Sequence, residues 1–170
     1  MMRAYKIRIV VAERRPVVLS GLQNWFGAHE RFHIAACAGN GARLFAELAS
    51  AEFDLIVLSG GIEGSEADDF ALLRELRQIC PDTPVVVLTD ELDATALAAI
   101  QRAGASGVVS TLDEARAFER VCDRVLSGAK GIVSPLIAAF RQPADAAPTA
   151  GSNPDYGNAR VNIRQFVGRT

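Results

Sequence analysis

The chain predicts an alternating α/β domain, a parallel sheet with helices packed on both of its faces. Three observations carry this. Short apolar runs rich in β-branched residues, at 7–11, 32–37, 54–58, 85–89 and 107–110, are separated by longer segments of helical spacing. Runs apolar on both sides cannot face water on either, which requires helices above and below a parallel sheet. A length of 170 residues, 49% hydrophobic and 22% charged, is enough for one domain with a substantial core and a short appendage.

Ile7-Arg8-Ile9-Val10-Val11 reads as the first strand. A helix opens at Pro16, whose missing N–H costs nothing in a first turn, and Val18, Leu22, Trp25 and Phe26 make its apolar face. Trp25 is read as core or as a helix–helix contact. The second strand runs through Phe32-His33-Ile34-Ala35-Ala36-Cys37, and Asn40 caps a helix carrying Leu44 and Leu48. Asp54-Leu55-Ile56-Val57-Leu58 is the third strand, closed by Ser59-Gly60-Gly61. Ser65 and Asp68 have the spacing of a helix start, and Leu72, Leu73, Leu76 and Ile79 continue that helix. Pro81 and Pro84 bracket a turn before the fourth strand, Val85-Val86-Val87-Leu88-Thr89. Residues 92–103 form a helix and Gly107-Val108-Val109-Ser110 a short fifth strand. Thr111 then caps a last helix with Glu114 at its third position, buried along Phe118, Val121, Cys122, Val125 and Leu126. Five βα units with right-handed crossovers give a doubly wound, flavodoxin-like (βα)5 fold with a five-stranded parallel sheet.

Residues 1–128 are expected to form this domain, 129–141 an exit segment with a linker helix, and 142–170 a flexible tail. The tail is rich in Pro, Ala, Gly and Ser and cannot bury enough apolar surface to fold by itself. Cys37, Cys80 and Cys122 are odd in number and far apart, which favours buried thiols in a reducing cytoplasm over a disulfide framework or zinc site. His29 and His33 have nothing nearby to complete a ligand set, so no metal and no cofactor is expected. A net charge of −2 gives no electrostatic reason for binding DNA or a membrane surface. No apolar stretch approaches the roughly 20 residues of a membrane span, and the start has no signal-peptide pattern; the expected location is the cytoplasm.

In such a sheet the functional crevice lies at the C-terminal strand ends. Residues 12–15, Ser59, Thr89 and Thr111 should meet there.

Those residues also carry a likeness. Ala12-Glu13-Arg14-Arg15-Pro16 resembles the Ala-Asp-Asp-His-Pro signature of response-regulator receiver domains of the NarL/FixJ type. Leu58-Ser59-Gly60-Gly61-Ile62-Glu63-Gly64 is similar to their Leu-Asp-Leu-Ser-Met-Pro-Gly loop, and Val87-Leu88-Thr89 to the strand with their switch hydroxyl. Gly104-Ala105-Ser106-Gly107 matches the run before their fifth strand. Ser127-Gly128 with Ile132-Val133-Ser134-Pro135 looks like their passage into an interdomain helix. The succession covers roughly residues 5–140.

The resemblance implies a receiver fold whose phosphorylation chemistry has been dismantled. Ser59 stands at the phosphoacceptor aspartate. Of the acidic pair that would hold Mg²⁺, Glu13 remains and Arg14 replaces the other with a cation. Thr111 takes the place of the phosphate-pairing lysine, since neither Lys6 nor Lys130, the only lysines, aligns with it. Val108 takes that of the aromatic switch, and Thr89 is retained. Arg14 and Arg15 can pair with Glu13, Asp90 or Glu91 in place of the lost ion. Alternatively Arg14, Arg15, Gly60 and Gly61 form an anion or small-ligand site.

No catalytic residue is expected and the chain is not read as an enzyme. The expected function is a phosphorylation-independent pseudo-receiver acting in signal transduction or transcription regulation through protein contacts. Its partner is itself, a response regulator or a histidine kinase, in a homodimer or heterodimer. The contact surface is either the first and fifth helices or the face of the fourth helix, fifth strand and fifth helix. Two alternatives stay open: a small-ligand sensor, or the receiver portion of a DNA-binding regulator. Residues 142–170 are too short for a helix-turn-helix output domain, so direct DNA binding by this chain is not expected.

Overall fold

The computed structural model describes residues 5–60, 62, 70–90 and 92–141. Along the chain run β1 (Ile7–Ala12), α1 (Pro16–Gly27), β2 (Phe32–Ala38), α2 (Gly41–Ser50), β3 (Leu55–Ser59) and α3 (Ala71–Ile79). They are followed by β4 (Val85–Thr89), α4 (Ala94–Arg102), β5 (Gly107–Ser110), α5 (Ala115–Leu126), β6 (Ile132–Val133) and α6 (Pro135–Arg141). The strands make one sheet in the order β2-β1-β3-β4-β5-β6, every pairing parallel. Strand order turns back at β1 and β3, as a doubly wound sheet requires. All five expected strands are present.

Period-two alternation divides the core between the two faces. Ile9, Val11, Leu55, Val57, Val86, Leu88 and Val109 pack with Phe26 of α1 and Phe118, Val121, Cys122 and Val125 of α5. Val10, Ile56, Val85, Val87 and Val108 face the other side, against Leu44 of α2, Leu73 and Leu76 of α3, Leu97 and Ile100 of α4, and Ile137 of α6. Trp25 lies edge-on to Phe26 and 5.9 Å from Phe118, so it is a helix–helix contact between α1 and α5. β2 carries an irregularity in its pairing with β1: Ile9 faces Ile34 but Val10 faces Ala36, so Ala35 is an extra residue.

The caps follow local chemistry. Asn40 accepts from the Arg43 N–H at 2.8 Å, as expected, and Asp93 accepts from that of Thr95. Because Asp93 is the cap, α4 begins at Ala94 rather than at residue 92. Thr111 does not cap the last helix. The Ser110 hydroxyl accepts from Leu112 N, and the Asp113 N–H donates to the Ser110 carbonyl. This turn delays the helix to Ala115, with Glu114 as the capping residue and no side-chain cap bond. Ile79 is exposed, because α3 ends there and its last turn leaves the core face. The Ser65–Asp68 helix start and the 142–170 tail lie outside the described residues.

A sixth strand joins the five. The chain turns at Gly128 (φ +97°) and Gly131 (φ +66°), and Ile132 and Val133 then pair with Gly107 and Val108. Ser134 N donates to Val108 O, and Ile137 of α6 is fully buried. Part of the expected exit segment thus covers the β5 edge.

Gly107 sets how closely α5 sits on the sheet. A Cβ there would lie 2.7 Å from Val121 Cγ1 and 3.1 Å from Val125 Cγ1. Gly107→Ala is therefore expected to lower stability by about 1–3 kcal/mol in chemical denaturation. Gly21→Ala should do the opposite, raising stability by up to ~1 kcal/mol, because a Cβ on that exposed turn of α1 meets nothing within 4 Å.

Candidate functional site

The C-terminal ends of β1, β3 and β4 converge on one guanidinium. Glu13, the first residue after β1, is 3% exposed, and its N–H donates to Ala38 O at the end of β2. A buried carboxylate needs a cation or several donors. Arg15 supplies both: its N–H donates to Glu13 Oε1 at 2.7 Å, its Nε to the same oxygen at 3.1 Å, and its Nη2 to Glu13 Oε2 at 3.2 Å. The same Nη2 lies 3.2 Å from Ser59 Oγ at the end of β3. Nη1 donates to Asp90 Oδ2 at 2.7 Å, just past the end of β4. One side chain thus ties three strand ends together.

The electrostatics follow from this geometry. Burial pushes the Glu13 carboxyl up, but the Arg15 side-chain and backbone hydrogen bonds, the Ser59 hydroxyl and the Arg15 charge together hold it below the ordinary carboxylate value. Arg15 moves the other way: its hydrogen bonds to Glu13 raise its pKa most, desolvation lowers it, and Asp90 adds a further rise.

The residues singled out in the sequence divide clearly. Glu13, Arg15, Ser59 and Asp90 come together. Arg14, adjacent to Arg15, is exposed and makes no hydrogen bond or ion pair among the described residues. The reason is the extended backbone: neighbours point to opposite sides, whereas residues 13 and 15 share one. That alternation was the signal that could have chosen Arg15 over Arg14. Thr89 is buried at the end of β4, and the Gly60 N–H is taken by Leu88 O at 2.8 Å. Gly61 and Glu91 lie outside the described residues. Val108 is buried in the core on the α4 side, and Thr111 donates its N–H to Thr89 O at 3.0 Å. Asp113 was not foreseen. It accepts from Ser110 N at 2.9 Å and from Leu136 N at 3.3 Å, joining the β5–α5 turn to α6. Among the described residues no three His, Cys, Asp or Glu side chains group as a metal site.

Beside this centre a cleft of about 490 Å³ opens between α1 and α5, floored by Leu88 and Val109 and walled by Val18, Leu22, Trp25 and Phe118. Its far end is drawn together by Arg31 on Asp123 at 2.9 Å and His29 near Glu119 at 3.8 Å. Val17 and Leu112 are both strongly exposed.

A family model for the response regulator receiver domain matches residues 9–120. Among solved structures, RcsB of Salmonella typhimurium superposes with a TM-score of 0.75 at 15% identity, covering 84% of this chain and 69% of that one. The isolated receiver domain of RcsB from Salmonella enterica serovar Typhimurium, with a beryllofluoride phosphomimetic, gives 0.72 at 15% identity, covering 79% and 98%. A LuxR-family two-component response regulator from Aurantimonas sp. SI85-9A1 gives 0.74 at 18% identity, covering 83% and 99%. None of the curated proteins matches the sequence.

The two adjacent arginines separate experimentally. Arg15→Ala leaves the Glu13 carboxylate buried without its cation and is expected to cost about 2–3 kcal/mol in urea denaturation; Arg14→Ala should leave the midpoint unchanged. Acid provides an independent reading. The folded pKa of Glu13 lies below its ordinary 4.5, so between those values the unfolded chain binds a proton that the folded chain refuses. Stability from this group is complete above that ordinary value and is lost as pH falls through the folded pKa. Glu13→Gln is expected to start less stable at neutral pH and to lose less on acidification, as followed by denaturation midpoints across the acid range.

Proposed function

The chain belongs to the response regulator receiver domain family, and we propose that it serves two-component signalling without phosphotransfer, by contact with other proteins. The observation that carries this reading is the position of the Arg15 guanidinium. Mg²⁺ requires oxygen ligands in near-octahedral array. Here the one acidic side chain retained after β1, Glu13, has both oxygens hydrogen-bonded by Arg15, and the remaining neighbour at the end of β3 is a hydroxyl. A divalent cation does not fit beside a guanidinium bonded to both oxygens of that carboxylate. Ser59, at the position resembling the phosphoacceptor, lacks a carboxylate to form an acyl phosphate, and the carboxylate beside its hydroxyl, Glu13, is held ionised by Arg15 with its pKa lowered, which makes it a weak base for activating a serine.

In this reading Arg15 performs internally what a bound ion does in a metal-dependent site: it joins the β1, β3 and β4 ends through fixed charge. The domain then rests in one state, and its output is its surface. Of the two surfaces the sequence left open, the α1–α5 face has the better support, because β6 and α6 cover the β5 edge on the other. The α1–α5 face also holds the apolar cleft with Val17 and Leu112 beside it. A ligand pocket draws less support, since the donors of Arg15 and of the Gly60 N–H are bonded within the protein.

RcsB is described as dimers bound to DNA. For this chain, with a net charge of −2, we propose no direct DNA contact and no enzymatic activity. No helix among the described residues is long and apolar enough to cross a membrane, and we place the protein in the cytoplasm.

Incubation of the full chain with Mg²⁺ and radiolabelled acetyl phosphate tests the central claim. No label is expected on the wild type, nor on Ser59→Asp, because Arg15 remains bonded to Glu13. Mg²⁺-dependent labelling that disappears in Ser59→Ala would overturn it.

A further inference from the structure

The segment after α5 wraps the margin of the sheet. The chain turns at Gly128 and Gly131, both at positive φ, and a Cβ at either would meet nothing within 4 Å. These glycines therefore serve the backbone path and not a close contact. Ile132 N then donates to Ser106 O at 3.2 Å and Ser134 N to Val108 O at 3.0 Å, along the outer side of β5. Ile132 packs in the core layer beneath α5, whereas Ile137 is fully buried in the layer on the α4 side. β6 and α6 thus cross from one face of the sheet to the other.

The start of α6 is satisfied from a distant part of the chain. Ser134 occupies the cap position, since the Ala138 N–H donates to the Ser134 carbonyl at 2.9 Å. A serine there ordinarily turns its hydroxyl onto a first-turn N–H. Here the Ser134 hydroxyl is buried and has no hydrogen-bond partner among the described residues. Asp113 caps instead, from 23 residues away: Oδ1 accepts from Leu136 N at 3.3 Å, while Oδ2 accepts from Ser110 N at 2.9 Å. A buried hydroxyl without a partner regains water when its surroundings open. The closed arrangement therefore carries a cost at Ser134, which the Asp113 bond and the burial of Ile137 oppose.

We propose that β6 and α6 form a latched strap, with Gly128 and Gly131 as its hinge, Ile137 as its plug and Asp113 as its latch, which opens as one unit while the five-stranded domain stays folded. Local opening belongs to segments held by few apolar contacts and outlying backbone bonds. What the strap covers gives the latch its purpose. Once lifted, it leaves Gly107–Ser110 as an outer strand of four uncharged residues, an edge able to pair with another strand. The strap thereby governs access to the β5 edge. This freedom is separate from the loops tied by Arg15 and does not depend on whether the domain takes part in phosphotransfer.

Native-state hydrogen exchange of the full chain, read residue by residue by NMR in water and in sub-denaturing urea, tests the strap. In the wild type the amides of Ile132, Ser134 and Ala138 should be protected, yet exchange at least about a hundredfold faster than the Ile56 amide in the sheet. Urea should accelerate them less than Ile56, because lifting the strap exposes less surface than unfolding does. Ile9→Val, in the core of β1, weakens the open and closed forms alike and should speed Ile56 but not the strap amides. Asp113→Ala should speed the strap amides by about tenfold, and Ser134→Ala, which removes the unpaired hydroxyl, should slow them. If Asp113→Ala fails to fold, the urea dependence and Ser134→Ala still decide. Equal rates and equal urea dependence for strap and sheet, strap amides without protection in the wild type, or strap amides sped by Ile9→Val as much as Ile56 would each overturn the proposal. So would strap rates unchanged in Asp113→Ala or raised in Ser134→Ala.

Discussion

A carboxylate taken out of water needs a positive partner, and in this protein the partner lies two residues away on the same loop. The ion pair between Glu13 and Arg15 is the constraint on which the upper end of the sheet depends. Because the guanidinium has donors to spare, it also reaches Ser59 and Asp90, and three loops become one unit. The pair is internal to the loop, and its bonds hold the three strand ends together in this structure.

A fixed upper end gives meaning to the asymmetry of the helical layers. α2, α3 and α4 pack over one face of the sheet, together with Ile137 of α6. α1 and α5 cover the other face and leave the cleft between them, drawn in at one end by Arg31 and Asp123. In the proposed contact role, the loops joined by Arg15 would hold this cleft and its flanking side chains in one arrangement. A binding module gains from that constancy, because little conformational entropy is lost when a partner docks.

Most of the fold was legible because strands and helices advertise themselves by period. Val85–Thr89 and Gly107–Ser110 are continuous apolar runs, and the Asn40 cap is a side-chain chemistry that sequence displays directly. β6 was not legible, since two residues carry no period and their pairing depends on two glycine turns. The start of α5 was misread because Thr111 and Ser110 are both plausible hydroxyl caps, and only the turn closed by Asp113 decides between them. At the site, the residue types were visible, but the choice between adjacent arginines required the extended backbone after β1. Asp113 gave little signal, because its second bond is to Leu136, far along the chain.

The extra residue at Ala35 bears on how this protein can associate at all. β2 is an outer strand of the sheet, an apolar stretch from Phe32 to Ala38 with no lysine, arginine or acid to guard it. A regular strand of that composition would template another strand and invite aggregation. The bulge breaks the spacing of its outward N–H and C=O groups, while β6 closes the opposite side of the five-stranded core. Backbone zippering is thereby disfavoured at both margins, and recognition is left to side chains, where charge and shape can tell one partner from another.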